Sequence, residues 1–368
     1  LIDNVRQENL SVNLILKKKI DNLKIIHVTN FNERFNGRLF FNTGKRINNG
    51  FIRLGHSVLE FSDRDITHNN KNYSDMSGAK NLNKKLLKTC ENIKPDLIVL
   101  GHADLIKIET LQDLKITYPN LKIAQWFLDP LGKRGPDYEK NKKRIMDKMD
   151  VIDKNFLTTS PRVLNFLDNN KNFFIPNPID PSLETLNNFN NDCDNDVFFA
   201  MSHGVHRGVL KKGKIDAREY FINKLIDITP NIKFDCYGLN GNQPIWSDDF
   251  LKSLSQNKIG INLSQGKSSN FYSSDRLSQL VGNGLLVMID EKTKIGNFFN
   301  KDEIVTYKNL SDLSEKIIKY SNDNYARAKI AKKGRDKYFK YFNSKTVADF
   351  LIKKTFGVNK KYFWEKII

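Results

Sequence analysis

Short apolar runs alternate with amphipathic stretches along most of the chain. This order is typical of α/β proteins in which helices cover a parallel sheet. In the first half the apolar runs predict strands at 23–30, 57–62, 96–103, 121–129 and 151–160. The stretches between them predict helices at 44–55, 81–94 and 108–116, and a further helix beginning at Pro161.

The alternation breaks at "FFIPNPID" (173–180) and resumes after the Asn-rich stretch "NNFNNDCDND", which we interpret as a linker or boundary. Beyond it, strands are predicted at 196–202, 232–238, 258–264, 285–289 and 303–307. Helices are predicted at 216–228, 276–282, 311–320, 323–341 and 344–355. The fold class is therefore α/β, with two Rossmann-like domains facing a central cleft.

These patterns divide the chain into four parts. We predict an N-terminal helical extension at 1–22, a Rossmann-like domain at 23–178, a second Rossmann-like domain at 179–345, and a final helix with a basic tail at 346–368.

Composition narrows the class of protein. The net charge of +18 is compatible with attraction to nucleic acid, anionic lipid or nucleotide phosphates, or with a simple bias toward Lys and Asn. No apolar run reaches the length of a membrane-spanning helix. The three cysteines are far apart, which argues against a zinc site and a disulfide framework and favours a reducing, cytoplasmic compartment.

The segment "INLSQGKSSNFYSSDRL" (261–277) is the first candidate for chemistry. A strand ends there in a Ser/Gly loop, and Ser273, Ser274 or Asp275 can cap the helix that follows. Because ligands bind outside the carboxyl ends of parallel strands, the free N–H groups of this helix are expected to face the cleft.

Arg276 lies in the first turn of that helix, where the helix dipole disfavours a cation. A bound phosphate would explain the position, because a guanidinium offers a fork of donors to phosphate oxygens. The alternative is a simple ion pair with Asp275 or Asp248. Gln279, on the same helix face, can hydrogen-bond a sugar hydroxyl or remain solvated.

A second cluster follows the first strand of the second half, in "MSHGVHRGVLKKGK" (201–214). Its His, Gly and basic residues can bind an anion, form a solvated loop, or supply part of a metal site. No third ligand is evident, so no metal is predicted. The candidates for anion binding are His203, Gly204, His206, Arg207 and Lys212.

The first half offers candidate bases and an acceptor pocket. Asp129 ends a strand before Pro130, so it can serve as a general base or simply form an Asp-Pro turn. His102, also at a strand end, is a second candidate base. The loop "NERFNGRLFFNTGKR" (32–46) is rich in Asn, Gly and Arg. Its candidate pocket residues are Glu33, Arg34, Asn36 and Arg38.

Several of these segments resemble one family when taken together. The chain resembles GT-B glycosyltransferases in the order of these segments. They are two Rossmann halves joined by "PNPID", the segment "SDRLSQLVGNGLLVM", the acidic segment in "FFNKDEIVTY" and the two helices after it. The similarity is greatest to the CgeB-like group, which has a group 1 type C-terminal domain. It covers residues 180 to 350 well and the first half only in architecture.

The resemblance implies roles for individual residues. Arg276 matches the arginine expected near the diphosphate of the donor. Gln279 stands where the family has a glutamate that holds donor hydroxyls, so hydrogen bonding is kept and charge is lost. Phe271 stands where many retaining relatives carry another glutamate, which leaves retention or inversion of the anomeric centre open. The last helix and tail are expected to cross back onto the first domain.

The function implied is transfer of a hexosyl or deoxyhexosyl group from a nucleotide-sugar to a hydroxyl of a glycan, lipid-linked or other cell-surface acceptor, as in bacterial polysaccharide biosynthesis. No cofactor and no metal are expected, because Arg276 and the loop at 203–212 would stabilise the departing diphosphate. The basic tail "KKYFWEKII" could also contact an anionic membrane from the cytoplasmic side. Two alternatives are a GT-B-shaped nucleotide-sugar epimerase and a basic nucleic-acid-binding protein, the latter without the expected recognition pattern.

Overall fold

A computed structural model describes residues 20–133, 135–168, 170–202, 210 and 215–368. Two parallel sheets account for all named strands of this part of the chain, one with six strands and one with five. This confirms the predicted α/β class with two Rossmann-like domains.

The first sheet has the order β2-β1-β3-β4-β5-β6, and all its neighbouring strands pair in parallel. Its central strands are buried on both faces, as expected for a parallel sheet covered by helices. Its strands are β1 Lys24–Thr29, β2 Ser57–Ser62, β3 Leu97–Gly101, β4 Lys122–Phe127, β5 Lys154–Leu157 and β6 Asn172–Phe174. Its helices are α1 Thr43–Arg53, α2 Asp63–Asn69, α3 Ala79–Ile93, α4 Ile108–Thr117 and α5 Tyr138–Met146.

The second sheet has the order β11-β10-β9-β7-β8, again with parallel neighbours. Its strands are β7 Asn195–Ala200, β8 Phe234–Tyr237, β9 Asn257–Asn262, β10 Leu286–Asp290 and β11 Val305–Tyr307. The helices of this half are α6 Ala217–Ile228, α7 Ser247–Leu254, α8 Arg276–Gly282, α9 Leu310–Asn322, α10 Asn324–Tyr341 and α11 Ser344–Thr355.

The last helix, α11, returns to the first domain and packs against α1. Ile47 and Phe51 of α1 share one buried apolar cluster with Val347 and Ala348 of α11. The chain thus crosses between domains twice, and the two crossings touch. The N–H of Ile179 donates to the carbonyl of Phe342 (3.1 Å), and the N–H of Ser344 donates to the carbonyl of Ile179 (2.6 Å).

The C-terminal tail also packs on the protein. Trp364 is fully buried, and its ring meets the rings of Phe350 and Tyr362 with centroids 5.1 and 5.4 Å apart. Phe363 stacks on Tyr341. The aromatic residues of the tail are therefore used for packing. Among the described residues, no helix combines the length and the apolar character needed to cross a membrane.

The Asn-rich stretch, interpreted as a linker or boundary, follows β6 of the first sheet and leads into β7 of the second. It is packed on the second domain, because buried Asn188 donates to the carbonyls of Leu254 and Asn257. Some local predictions were wrong. Pro161 begins only a single 3₁₀ turn, Pro161–Val163. The helices α2, α5 and α7 were missed because they are short and each contains at most one buried apolar residue.

Candidate functional site

A cavity of about 320 Å³ lies between the two domains, at the carboxyl ends of their strands. The first domain contributes the segment 38–42, and the second contributes the segments 200–202, 244–250 and 275–279. Such a cleft is where open α/β sheets bind their ligands. Polar and aromatic side chains from both walls converge there: Arg38, Phe41, Trp246, Asp275, Arg276 and Gln279.

Arg276 lines this cavity and is held in place by backbone carbonyls. Its Nε donates to the carbonyl of Ala200 (2.8 Å), and its Nη1 donates to the carbonyl of Leu263 (2.9 Å) and the hydroxyl of Ser274 (3.3 Å). The guanidinium also lies over the ring of Phe199, 5.0 Å from its centroid. No hydrogen bond joins Nη2 to a described residue. The side chain is therefore fixed before any ligand binds.

The alternative of a simple ion pair is not seen in the described part of the chain. Neither Asp275 nor Asp248 approaches Arg276 within ion-pair distance there. Asp275, one of the three predicted caps, occupies the N-cap position of α8, but its side chain forms no cap hydrogen bond. The hydroxyl of Ser273 accepts from the side-chain amide of Asn262 and donates to the carbonyl of Ser274.

Arg218 is a second guanidinium near Arg276 that the sequence interpretation missed. Burial and, to a smaller extent, the positive charge of Arg218 lower the pKa of Arg276 to about 10, so Arg276 is still charged at neutral pH. Arg218 forms a two-pronged ion pair with Asp216, with both N···O distances 2.9 Å. The sequence feature that could have revealed Arg218 is "DAREY" (216–220), where an acid and an arginine stand together at the start of a predicted helix.

The first-domain wall of the cavity differs in part from the predicted acceptor pocket. Arg38 lies over the ring of Trp246, 4.7 Å from its centroid, and so bridges the two domains beside Arg276. Arg34 turns away, since its Nη1 donates to the carbonyl of Arg64 (2.9 Å). Glu33 and Asn36 are exposed and do not line this cavity.

Gln279 stands at the domain boundary, as its place on the helix face predicted. It lines the cavity, and its Nε2 lies 3.5 Å from the carbonyl oxygen of Phe41, across the cleft. Its amide thus remains available for a ligand hydroxyl with little rearrangement.

The two candidate bases, Asp129 and His102, lie side by side. The Oδ2 of Asp129 is 3.7 Å from the Nδ1 of His102 and 3.6 Å from the Nη1 of Arg144. The N–H of Leu128 donates to the Nε2 of His102 (2.8 Å), and burial lowers the pKa of His102. The neutral ring therefore carries its proton on Nδ1, which faces Asp129.

Asp129 also faces the loop that carries Arg276. Tyr272, in that loop, is buried, and burial raises the pKa of its hydroxyl. The negative charges of Asp129 and Asp275 raise this pKa further, while Arg276 lowers it. The loop that follows Asp129 approaches the Arg276 loop at Gly132, where an added Cβ would lie 3.3 Å from the hydroxyl of Ser269.

The anion-binding candidates of the 201–214 loop lie outside the described residues: His203, Gly204, His206, Arg207 and Lys212. Within the described ranges, no group of three or more His, Cys, Asp or Glu side chains is arranged to hold a metal ion.

Residues 218–353 match the protein family described as "Glycosyl transferase-like". The matched segment lies within the C-terminal half of this chain. The matched segment overlaps the 180–350 region where the resemblance was predicted, and it includes Arg276 and Gln279. A comparison with curated protein sequences gives no significant match.

Solved structures show the same fold at low sequence identity. Sucrose-phosphate synthase from Thermosynechococcus elongatus aligns with a TM-score of 0.56 at 10% identity, over 90% of this chain and 97% of its own. Anabaena HepE, in complex with UDP-glucose, aligns with a TM-score of 0.56 at 10% identity, over 92% of this chain and 100% of its own. TarM aligns with a TM-score of 0.52 at 14% identity, over 74% of this chain but only 58% of its own.

These likenesses confirm the predicted GT-B architecture. Together with the family match, they agree with the prediction of a glycosyltransferase of the GT-B type. At these identities the solved structures establish the fold alone, so donor, acceptor and residue roles are argued from the geometry of this chain.

Proposed function

We propose that this protein transfers a glycosyl group from a nucleotide-sugar, bound in the interdomain cavity, to a hydroxyl of a glycan acceptor. The observation that carries the proposal is the anchoring of Arg276. Its guanidinium lines the cavity within the glycosyl transferase-like segment and has no carboxylate partner among the described residues.

The donor diphosphate would lie against Arg276. Charge that develops on a departing diphosphate is stabilised best by donors that are already in place, because no reorganisation is then needed at the moment of reaction. The carbonyls of Ala200 and Leu263 supply that fixed geometry. Gln279 would hydrogen-bond a hydroxyl of the donor sugar. Neither step uses a metal ion or another cofactor.

Asp129 is our choice for the base that removes the proton of the acceptor hydroxyl. His102 offers its Nδ1–H toward Asp129 and its Nε2 lone pair to the N–H of Leu128, so no lone pair is left to accept a proton. We therefore assign His102 the role of positioning Asp129. Arg38, which stacks on Trp246, would act in donor binding rather than in the predicted acceptor pocket.

The experiment begins with a thermal-shift panel of UDP, GDP, CMP, dTDP and ADP, each with and without EDTA. UDP is the first candidate because HepE, a structure of similar fold, is in complex with UDP-glucose. A nucleotide at 100 times its dissociation constant stabilises the folded state by about 2.7 kcal/mol. The winning nucleotide then defines the sugar donors to be tested for turnover.

Arg276→Ala should abolish the shift and lower turnover by about 100- to 1,000-fold, by analogy with other lost anion-binding donors. Arg335→Ala is the matched control. Arg335 also donates to a carbonyl, that of Gly282 (2.9 Å), and lies over a phenylalanine ring, but it does not line the cavity. If Arg335→Ala lowered nucleotide binding and turnover as much as Arg276→Ala does, the proposed contact of Arg276 with the diphosphate would be wrong.

Three further readouts separate the alternatives. Asp129→Asn should lower turnover while nucleotide binding is kept, and unchanged turnover would exclude Asp129 as the base. Conversion of a nucleotide-sugar without any acceptor would identify an epimerase instead. Salt-sensitive binding to DNA or RNA without any nucleotide shift would indicate the nucleic-acid alternative.

The cytoplasmic location and the contact with an anionic membrane stay predictions. Because Tyr362 and Trp364 are buried, such a contact would have to use exposed charges of the tail, such as Lys360 and Lys361, rather than its aromatic rings. Sedimentation with anionic vesicles, compared at low and high salt, tests this directly.

A further inference from the structure

A second pocket of the cleft, of about 740 Å³, is separate from the cavity that contains Arg276. We call it the basic pocket. The first domain contributes Gly132, Lys133, Gly135, Val163 and Asn165, and the second domain contributes residues 267–270, Asp290 and Lys292. It therefore lies where the two domains face each other.

Three exposed lysines line the basic pocket: Lys133, Lys267 and Lys292. None of them forms an ion pair with a described residue, whereas other exposed lysines such as Lys143 do. Among the described lining residues the one acid is Asp290, which accepts hydrogen bonds from the hydroxyl of Ser268 (2.6 Å) and the backbone N–H of Lys292 (2.9 Å). The pocket thus presents an excess of positive charge.

The basic pocket is lined in part by the same two loops that carry Asp129 and Arg276. Lys133 follows Asp129 in the loop after β4, and Lys267 precedes Arg276 in the loop after β9. The two loops come close at Gly132, where an added Cβ would lie 3.3 Å from the hydroxyl of Ser269. A molecule held in the basic pocket would therefore lie beside the place where Asp129 faces the Arg276 loop.

The chemistry of the lining favours an anionic glycan over a nucleic acid. Single-stranded nucleic acids are bound by stacking bases on aromatic side chains along a basic groove. Among the described residues, the lining of the basic pocket contains no aromatic side chain, and its neutral side chains are Ser, Asn and Val. Hydroxyl and amide groups of this kind suit sugar hydroxyls, and the lysines suit phosphate or carboxylate groups.

We infer that the basic pocket binds the acceptor, and that this acceptor is an anionic glycan whose phosphate or carboxylate groups contact Lys133, Lys267 and Lys292. This inference rests on the proposed function, since it names the acceptor class of the same transfer reaction. The lysines would hold the chain of the acceptor, while the hydroxyl to be glycosylated reaches Asp129.

The test compares two triple variants of the full chain that lose the same charge. One is Lys133→Gln/Lys267→Gln/Lys292→Gln in the basic pocket. The control is Lys80→Gln/Lys84→Gln/Lys85→Gln on the exposed face of α3. The probes are inorganic polyphosphate, oligogalacturonate, neutral dextran and a single-stranded DNA oligomer. Binding is measured by titration calorimetry at two salt concentrations.

We expect the wild-type chain to bind polyphosphate or oligogalacturonate and not dextran. The pocket variant should bind about ten-fold more weakly, with a smaller salt dependence, and the control variant should match the wild type. The stronger of the two anionic probes tells whether phosphate or carboxylate is preferred.

Equal weakening in both triple variants would overturn the inference, because the effect would then be one of net charge alone. Absence of binding to either anionic probe would overturn it too, as would tighter binding of the DNA oligomer through the same lysines. The thermal shift with nucleotide is measured on all variants. If no nucleotide shifts the melting temperature of the wild type, the proposed function is wrong. If a nucleotide does shift it but the pocket variants fail the test above, only this inference is wrong.

Discussion

His27, in the middle of β1, is fully buried with both ring nitrogens in hydrogen bonds. The Nε1–H of Trp126 donates to its Nε2 (3.1 Å), and its Nδ1 lies 3.2 Å from the amide oxygen of Asn48. Because an indole N–H can only donate, Nε2 must keep its lone pair and the ring must be neutral. Burial lowers the pKa of His27 from 6.5 to about 4.

This predicts acid sensitivity at the residue scale. A histidine with a lowered pKa in the folded state contributes its full stability above the unfolded pKa and loses it as the pH falls from 6.5 toward about 4. Between pH 7 and pH 5 the wild type should therefore lose about 2 kcal/mol more unfolding free energy than His27→Gln. Urea unfolding of both proteins at the two pH values measures this. Parallel losses would show that His27 does not titrate as expected.

At the scale of elements, the contact between α1 and α11 depends on Gly50. An ideal Cβ on Gly50 would overlap the backbone oxygen of Ser344 and lie 2.8 Å from the Cβ of Ala348. The helices approach this closely because no side chain stands between them at that point. The pairing of the crossing helix with the first domain is thus set by one small residue on α1.

We predict that Gly50→Ala destabilises the protein by about 1–3 kcal/mol, as overpacking of a buried contact does. Helix propensity alone would predict the opposite sign, since Ala favours a helix by about 1 kcal/mol over Gly. Adding Ala348→Gly should not restore the stability, because the closest overlap is with backbone. Denaturant midpoints of the single and double variants decide this, and a more stable Gly50→Ala protein would contradict the packing described.

At the scale of the whole molecule, a buried ion pair joins the domains. The side chains of Arg46 in α1 and Glu184 in the crossing are each only 1% exposed and form a two-pronged pair. Arg46 also donates to the carbonyl of Phe41 (2.7 Å), which lines the interdomain cavity. Glu184 packs against Gly282 at the end of α8. The pair therefore links the cavity wall to the second domain.

Removing one partner should cost about 3–5 kcal/mol, because the other charge is left buried and unpaired. We expect Arg46→Met and Glu184→Leu each to show this loss and the double variant to lose less than their sum. A double-mutant cycle on the exposed pair Lys88–Glu91 is the matched control, and no measurable coupling free energy is expected between these two residues. Equilibrium unfolding of both cycles supplies the comparison, and additive losses at Arg46 and Glu184 would contradict a coupled pair.

The sequence by itself determined the two alternations of strand and helix, and with them the order of the strands apart from β6, while the short helices α2, α5 and α7 were missed. Buried parallel strands such as β3 are nearly continuous apolar runs, so they are visible without any tertiary information. Asp129 and Arg276 could be found because each lies in a loop after a strand, and the carboxyl ends of parallel strands meet at one edge of a sheet.

The tertiary structure alone decided which polar groups meet. Arg218 comes near Arg276, Arg38 stacks on Trp246, and Arg34 turns instead to the carbonyl of Arg64. Such pairings join residues far apart in the chain and do not follow from any local pattern. Those of Arg218 and Arg34 depend on how loops and helices are arranged within one domain, and that of Arg38 depends on how the two domains are placed against each other. The same holds for Gly50, whose closeness to Ser344 exists only because the last helix crosses back onto the first domain.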